Sequence, residues 1–301
     1  AMEAAQTYAK VAPSAGHALH MPSHIFVAQG MWDEVIASNI DSYQASVDRM
    51  EAKNLDNDAR GYHAYHWLQY GYLQQGKFKK AAEMLDSLEG YVLETPSKRA
   101  RSHLIYLRGT YLVETENWDS QYADIEVDVS DLSLMVKAKK HYIEAMKAYS
   151  AENTDSLKSQ REELETLIRR ESLFADTSDF KICIPNDQST ARPSDIALSK
   201  AILYQIHALG YMLEGRSDNV EEYLIRATDL EESVDYSYGP PAVQKPTHEL
   251  YGDWLLSRGR FREALAEYDY SLEKMPGRRL SLEGRKKAEQ AMEESGVAAL
   301  R

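Results

Sequence analysis

The sequence is short of cysteine, of long apolar runs and of positive charge. It holds one cysteine, Cys183, so no disulfide can close within the chain. That excludes a disulfide scaffold and a four-cysteine zinc site. Such cysteine usage fits a reducing compartment, and a cytoplasmic location is expected. No apolar run approaches the roughly 18 to 20 residues that span a bilayer, and no leader-like n-region and h-region opens the chain. No membrane partner is expected. Thirty-five Lys and Arg face 48 Asp and Glu, for a formal net charge of −13. A field of that sign repels nucleic acid, so no nucleic-acid partner is expected either. The local basic run Arg278, Arg279, Arg285, Lys286 and Lys287 reads as the solvated face of a last helix. Also missing are HExxH, GxSxG, a glycine-rich phosphate loop and a dinucleotide fingerprint.

What is present is a repeat. A helical run, a Gly or Asn, four residues and then Ala, Val or, once, Tyr recur at GMWDEV (30–35), GKFKKA (76–81), NWDSQY (117–122), GRSDNV (215–220) and GRFREA (259–264). Apolar residues at helical period flank each turn: Tyr65, Leu68 and Tyr72 before the second, Leu265, Tyr268 and Leu272 after the fifth. These are hairpins of two helices, with glycine supplying a left-handed turn and alanine allowing close helix approach. The pattern looks like the tetratricopeptide unit of about 34 residues. The expected fold is all-α, a TPR-like α-α superhelix of five or six units with irregular lengths. One domain over residues 1–301 is expected, with no second domain. The second helix of the first hairpin should cover 33–52. Two further helices should cover 132–151 and 155–174. Irregular connections are expected at 176–195 and 233–247, where Pro, Gly, Ser and Asp gather.

Register then places the histidines. With the turn residue of each unit aligned, the inner, groove-facing positions of the first helix fall on His17, His20, His24 and Val27 in the first unit. In the second they fall on His63, His66, Tyr70 and Leu73. In the last unit His248, Glu249 and Asp253 occupy this region. Five of nine histidines thus sit at inner positions of two neighbouring helices. Imidazole nitrogen suits borderline transition metals such as zinc or iron. His20, His24 and His63 are the leading candidate metal ligands, with His66 and His17 behind them. Glu249 is the candidate orienting or basic carboxylate. His103, His141 and His207 read as peripheral or ordinary helix residues. Pro22 interrupts the first histidine face. Either the helix starts at Pro22, or it starts near Ser14 as N-cap and bends there.

The segment GHALHMPSHIF (16–26), together with GPPAVQKPTHEL (239–250), resembles a group of bacterial tetratricopeptide-repeat proteins that carry HxxHMPSHI[FY] and GPP…KPxHEL. His17, His20, His24, Met21 and Pro22 match the first motif. Gly239, Pro240, Pro241, Lys245, Pro246, His248, Glu249 and Leu250 match the second, and His63 and His66 match a histidine pair between them. The resemblance implies the helical-repeat fold and points to these residues without supplying a reaction. It also implies that this chain corresponds to the C-terminal portion of a longer form.

Two functional classes stay open. A scaffold or recognition module would hold a protein or peptide, or a small-molecule ligand, in a histidine-lined concave groove. A transition-metal-binding protein or metal-dependent enzyme would use the histidine cluster. The ordinary use of such repeats favours the first. The concentration of histidine favours the second, which requires an imidazole nitrogen of His20 or His24 within about 5 Å of one from His63 or His66.

Overall fold

The computed structural model describes residues 15–176, 191–236 and 238–296. Among them every regular element is helical and no strand occurs. The chain groups into two compact units: Ala1–Thr115, Ser237–Pro241 and His248–Arg301 form one, Glu116–Tyr236 and Ala242–Thr247 the other. A single domain is the expectation from sequence; the grouping into two changes over where the helical period stops, after residue 115 and within 233–247.

In the first unit the order is α1 (Gly16–His20), α2 (Pro22–Ala28), α3 (Trp32–Ala52), α4 (Tyr62–Gln74), α5 (Phe78–Glu94) and α6 (Lys98–Thr115). The second unit carries α7 (Leu134–Ser150), α8 (Thr154–Asp176), α9 (Pro193–Leu213) and α10 (Ser217–Glu232). The chain then returns to the first unit with α11 (Thr247–Ser257), α12 (Phe261–Lys274) and α13 (Arg279–Glu294). Within the units α3 packs on α4, α4 on α5, α5 on α6, α7 on α8, α8 on α9, α9 on α10 and α12 on α13; α4 also packs on α6, as α7 does on α9.

The long helices fall where the apolar period puts them, and 233–247 is the irregular connection foreseen. Residues 177–190 of the other connection, Cys183 included, lie outside the described residues, as does Ser14. The helix after it starts slightly early, at Pro193, because the Asp195 carboxylate accepts from the Arg192 backbone N–H and proline fits the first turn. Two expectations need correction. The NWDSQY turn opens no hairpin: Glu116 adopts a left-handed φ of 53°, a short 3-10 turn covers Gln121–Asp124, and α7 begins only at Leu134. Polar side chains hold this stretch locally, as Ser120 Oγ does in donating to the Asn117 carbonyl, in competition with helix. Further, α9 is long and apolar enough to cross a bilayer by length and composition alone. Its apolar residues are interleaved with polar ones, which hides the run from a search for unbroken stretches. Half of its most apolar window is buried inside the protein, and α7, α8 and α10 pack against it.

Four of the five turn residues singled out by the repeat are glycines, and Gly30, Gly76, Gly215 and Gly259 all take positive φ. Gly30 carries a second constraint. A Cβ there would lie 2.8 Å from the Pro276 carbonyl oxygen, whereas one at Gly76 would meet nothing within 4 Å. Gly76→Ala is therefore expected to cost about 1–2 kcal/mol through the left-handed backbone. Gly30→Ala should cost measurably more, since the 276–277 backbone has to move as well. Urea denaturation of the two variants side by side checks this; equal losses would contradict it.

The contact at Gly30 belongs to a junction that ties the end of the chain to its first helices. Trp32 Nε1 donates to the Gly277 carbonyl at 3.0 Å. Next along is Arg278, fully buried. Its Nε and Nη2 bind the two Glu249 carboxylate oxygens at 2.7 and 2.9 Å, and its Nη1 donates to Glu114 and, at 3.2 Å, to the Tyr70 hydroxyl. Ser281 Oγ donates to Glu249 at 2.6 Å. The Arg279 backbone N–H reaches Gln74 Oε1 at 2.8 Å, and its guanidinium reaches the Glu114 carbonyl. The basic run expected on a solvated face is thus split. Lys286 and Lys287 are exposed, but Arg278 precedes α13 and serves as the buried counter-charge of two carboxylates.

Candidate metal centre

Pro22 splits the first histidine face without bending the backbone away. Met21 keeps right-handed helical torsions (φ −50°, ψ −38°), and Pro22 opens α2 at its first position. Proline has no N–H to donate, so only the hydrogen-bond ladder is interrupted. His20 at the end of α1 and His24 in α2 therefore stay four residues apart on one helical face. His63 enters from the first turn of α4.

These three side chains converge. One ring nitrogen from each of His20, His24 and His63 lies within 4.8 Å of the others. The Nε2 atoms of His20 and His63 are 3.1 Å apart. Tetrahedral ligands at zinc-like bond lengths of about 2.0–2.1 Å stand about 3.3 Å apart, so this edge is already at ligand spacing. Trp67, one turn beyond His63, forms the wall behind them. Its ring packs edge-on to His20 at 4.7 Å and to His24 at 4.5 Å.

The hydrogen bonds fix which nitrogens are free. Asn39 Nδ2 donates to the Val35 carbonyl at 2.7 Å and to Ser23 Oγ at 2.9 Å. A carbonyl only accepts, so the amide can face it only with its NH₂. Asn39 Oδ1 then faces His20 Nδ1, 2.8 Å away, and that nitrogen must carry the proton. Likewise His24 Nδ1 donates to the Tyr238 carbonyl at 3.0 Å. Neutral His20 and His24 thus both present Nε2 as a lone pair. Between His20 and His63, the shared proton sits on His63 Nε2. His63, packed against His20 yet partly open to solvent, exchanges that proton for one on Nδ1 at little cost, which frees the third lone pair of the set. A metal-binding imidazole needs this arrangement, with the far nitrogen protonated and held.

Burial keeps the cluster neutral. His20 is pushed down to about 4 chiefly by desolvation, with His63, His24 and His17 adding like charge and the Asn39 hydrogen bond opposing. His24 and His63 are lowered as well, again mainly by burial. The sign for stability follows. Between about pH 6.5 and 4 the unfolded chain binds a proton at His20 that the folded chain refuses, so stability falls as pH drops through that window. One such group changes stability by about 1.4 kcal/mol per pH unit inside it. Thermal melts of the metal-free protein from pH 7 to 4.5 should show a slope to which every histidine lowered by burial adds, and His20→Gln should reduce it by one group's share.

The remaining residues singled out from sequence are distributed elsewhere. His17 is exposed. His66 Nε2 pairs with Thr110 Oγ1 at 2.9 Å, and its ring stacks near Tyr106. His248 Nδ1 contacts Glu267 at 2.6 Å, with its ring against Tyr270. Asp253 accepts from the Tyr268 hydroxyl. Two groove assignments are corrected. Tyr70 and Glu249 are buried and engaged with Arg278, because a buried guanidinium requires carboxylate and hydroxyl partners around it. Glu249 therefore does not act as the carboxylate of the histidine cluster.

Sequence reasoning missed Asn39, Trp67 and the carbonyl of Tyr238. Asn39 left one faint signal, an asparagine in the interior of a long helix, where its side chain usually needs a purpose. Gly239 carries a trace of the third: a Cβ there would meet the Trp67 ring at 2.5 Å, so only glycine lets the 238–241 segment lie on the cluster's wall. In comparisons with protein-family models, curated proteins and solved structures, nothing matches the chain.

Proposed function

We propose that this protein binds a transition metal ion through His20, His24 and His63. The observation that carries the reading is the convergence of three imidazole nitrogens, two of them with their free lone pair dictated by Asn39 and the Tyr238 carbonyl. A three-histidine set leaves a coordination position open, which is the arrangement of a catalytic rather than a closed structural site, and a metal-dependent activity is consistent with it. Zinc and iron both accept such ligands. The test is elemental analysis of protein purified without a histidine tag, with calorimetric titration of zinc, iron(II) and cobalt(II). A stoichiometric site is expected; no bound metal and no titratable affinity would sink the proposal.

Asn39→Ala tests the orienting role. It should weaken metal binding about 10- to 100-fold while leaving the three ligands in place. An unchanged affinity would mean that the His20 tautomer is not set by this amide.

The helical-repeat framework is proposed to be of tetratricopeptide type. In support stand the positive-φ glycines at four repeat turns and the packing of α4 on both α5 and α6. On that framework the His17–His66 surface is also suited to receive a protein, peptide or small molecule, in a reducing cytoplasmic setting. Retention of partners by a variant lacking His20, His24 and His63 would separate that role from metal binding.

A further inference from the structure

We infer that a metal ion held by His20, His24 and His63 takes a small exogenous anion in its remaining coordination position. This rests on the metal-binding reading above and names the ligand class of the same site. The converging group contains three imidazoles and, among the described residues, no carboxylate or thiolate. The groups that orient the rings are neutral as well: the side-chain amide of Asn39 and the main-chain carbonyl of Tyr238. Trp67 brings no charge to the wall behind. Imidazole binds a metal in its neutral form, so a dipositive ion here keeps its full charge. Leaving such a charge unpaired against a desolvated wall is unfavourable.

An anion in the fourth position removes that penalty. When none is supplied, a bound water releases a proton to the buffer and remains as hydroxide, since a metal lowers the acidity constant of its water toward neutrality. The position is accessible. His20 and Trp67 are buried and close one side, whereas His63 and His17 are exposed. His17 is the chain's own competitor: it lies one turn before His20, and its charge bears on His20, His24 and His63. The net charge of −13 gives an anion no general attraction to this chain. Anion binding should therefore depend wholly on the metal.

The experiment loads the full chain with cobalt(II) and titrates sodium azide while recording the visible d–d bands. The expected result is a band shift that saturates with azide and is the same in His17→Ala. The shift should vanish without cobalt and in His63→Ala, whose exposed position leaves the fold intact by far-ultraviolet circular dichroism. If cobalt binds to the wild type but azide moves no band, the inference is overturned. Recovery of the response in His17→Ala would then identify His17 as the fourth ligand. If cobalt itself does not bind, the metal-binding reading falls first, and the two failures are told apart by the cobalt spectrum before any azide is added.

Discussion

Replacing Arg278 with alanine is expected to destabilise the protein by about 3–5 kcal/mol, the cost of stripping a buried charge from its partners. Against a typical total of about 5–15 kcal/mol, that is a large share. Glu249 loses a two-pronged partner and Glu114 loses another, and both carboxylates are buried. Burial by itself would lower the Arg278 pKa, but Glu114 and Glu249 more than offset it and hold it well above the ordinary value, so the guanidinium stays charged at any pH of interest. In the variant Glu249 stays buried without its two-pronged partner, which favours its protonated form. The deficit should therefore shrink as pH falls from 7 toward 5. Guanidinium chloride denaturation at both pH values measures this. A loss below 1 kcal/mol at pH 7, or a deficit that grows on acidification, would contradict the network as described.

The second large effect concerns metal affinity. Removing one imidazole from a three-imidazole set, by His20→Ala or His63→Ala, is expected to weaken binding by at least the roughly 100-fold that loss of a mere orienting partner reaches. The thermodynamic counterpart is lost stabilisation. At a metal concentration 100 times the dissociation constant, the wild type should gain about 2.7 kcal/mol, and the variants almost nothing. His20→Ala also leaves Asn39 Oδ1 without its buried partner, so its apo-form stability should fall. His63→Ala serves as the cleaner variant because the side chain is exposed. Equal metal-induced shifts in melting temperature for wild type and His63→Ala would remove His63 from the site.

Much of this was legible in the chain itself. Apolar residues at helical spacing and glycines at repeat intervals fixed the helices and four of the turns, because both signals act within a few residues. The same register brought His63 opposite His20 and His24, since helix periodicity determines which side chains share a face. Local reasoning went wrong where burial decides the role of a charge. Arg278 and Arg279 look like surface cations beside Lys286 and Lys287, and only their junction with α4 and α6 separates them. Glu249 sits one position from His248 and reads as a partner of the histidines, yet its carboxylate belongs to Arg278.

The sequence alone determined an all-helical chain of hairpins and a set of histidines on neighbouring helices. Tertiary structure decided which of those histidines converge and which nitrogen of each is free. The reason is that tautomer and approach are set by Asn39, Trp67 and the Tyr238 carbonyl. Trp67 follows His63 by one turn of α4, but Asn39 reaches the site from α3 and the Tyr238 carbonyl lies 214 residues from His24, and no local pattern in the sequence encodes their meeting.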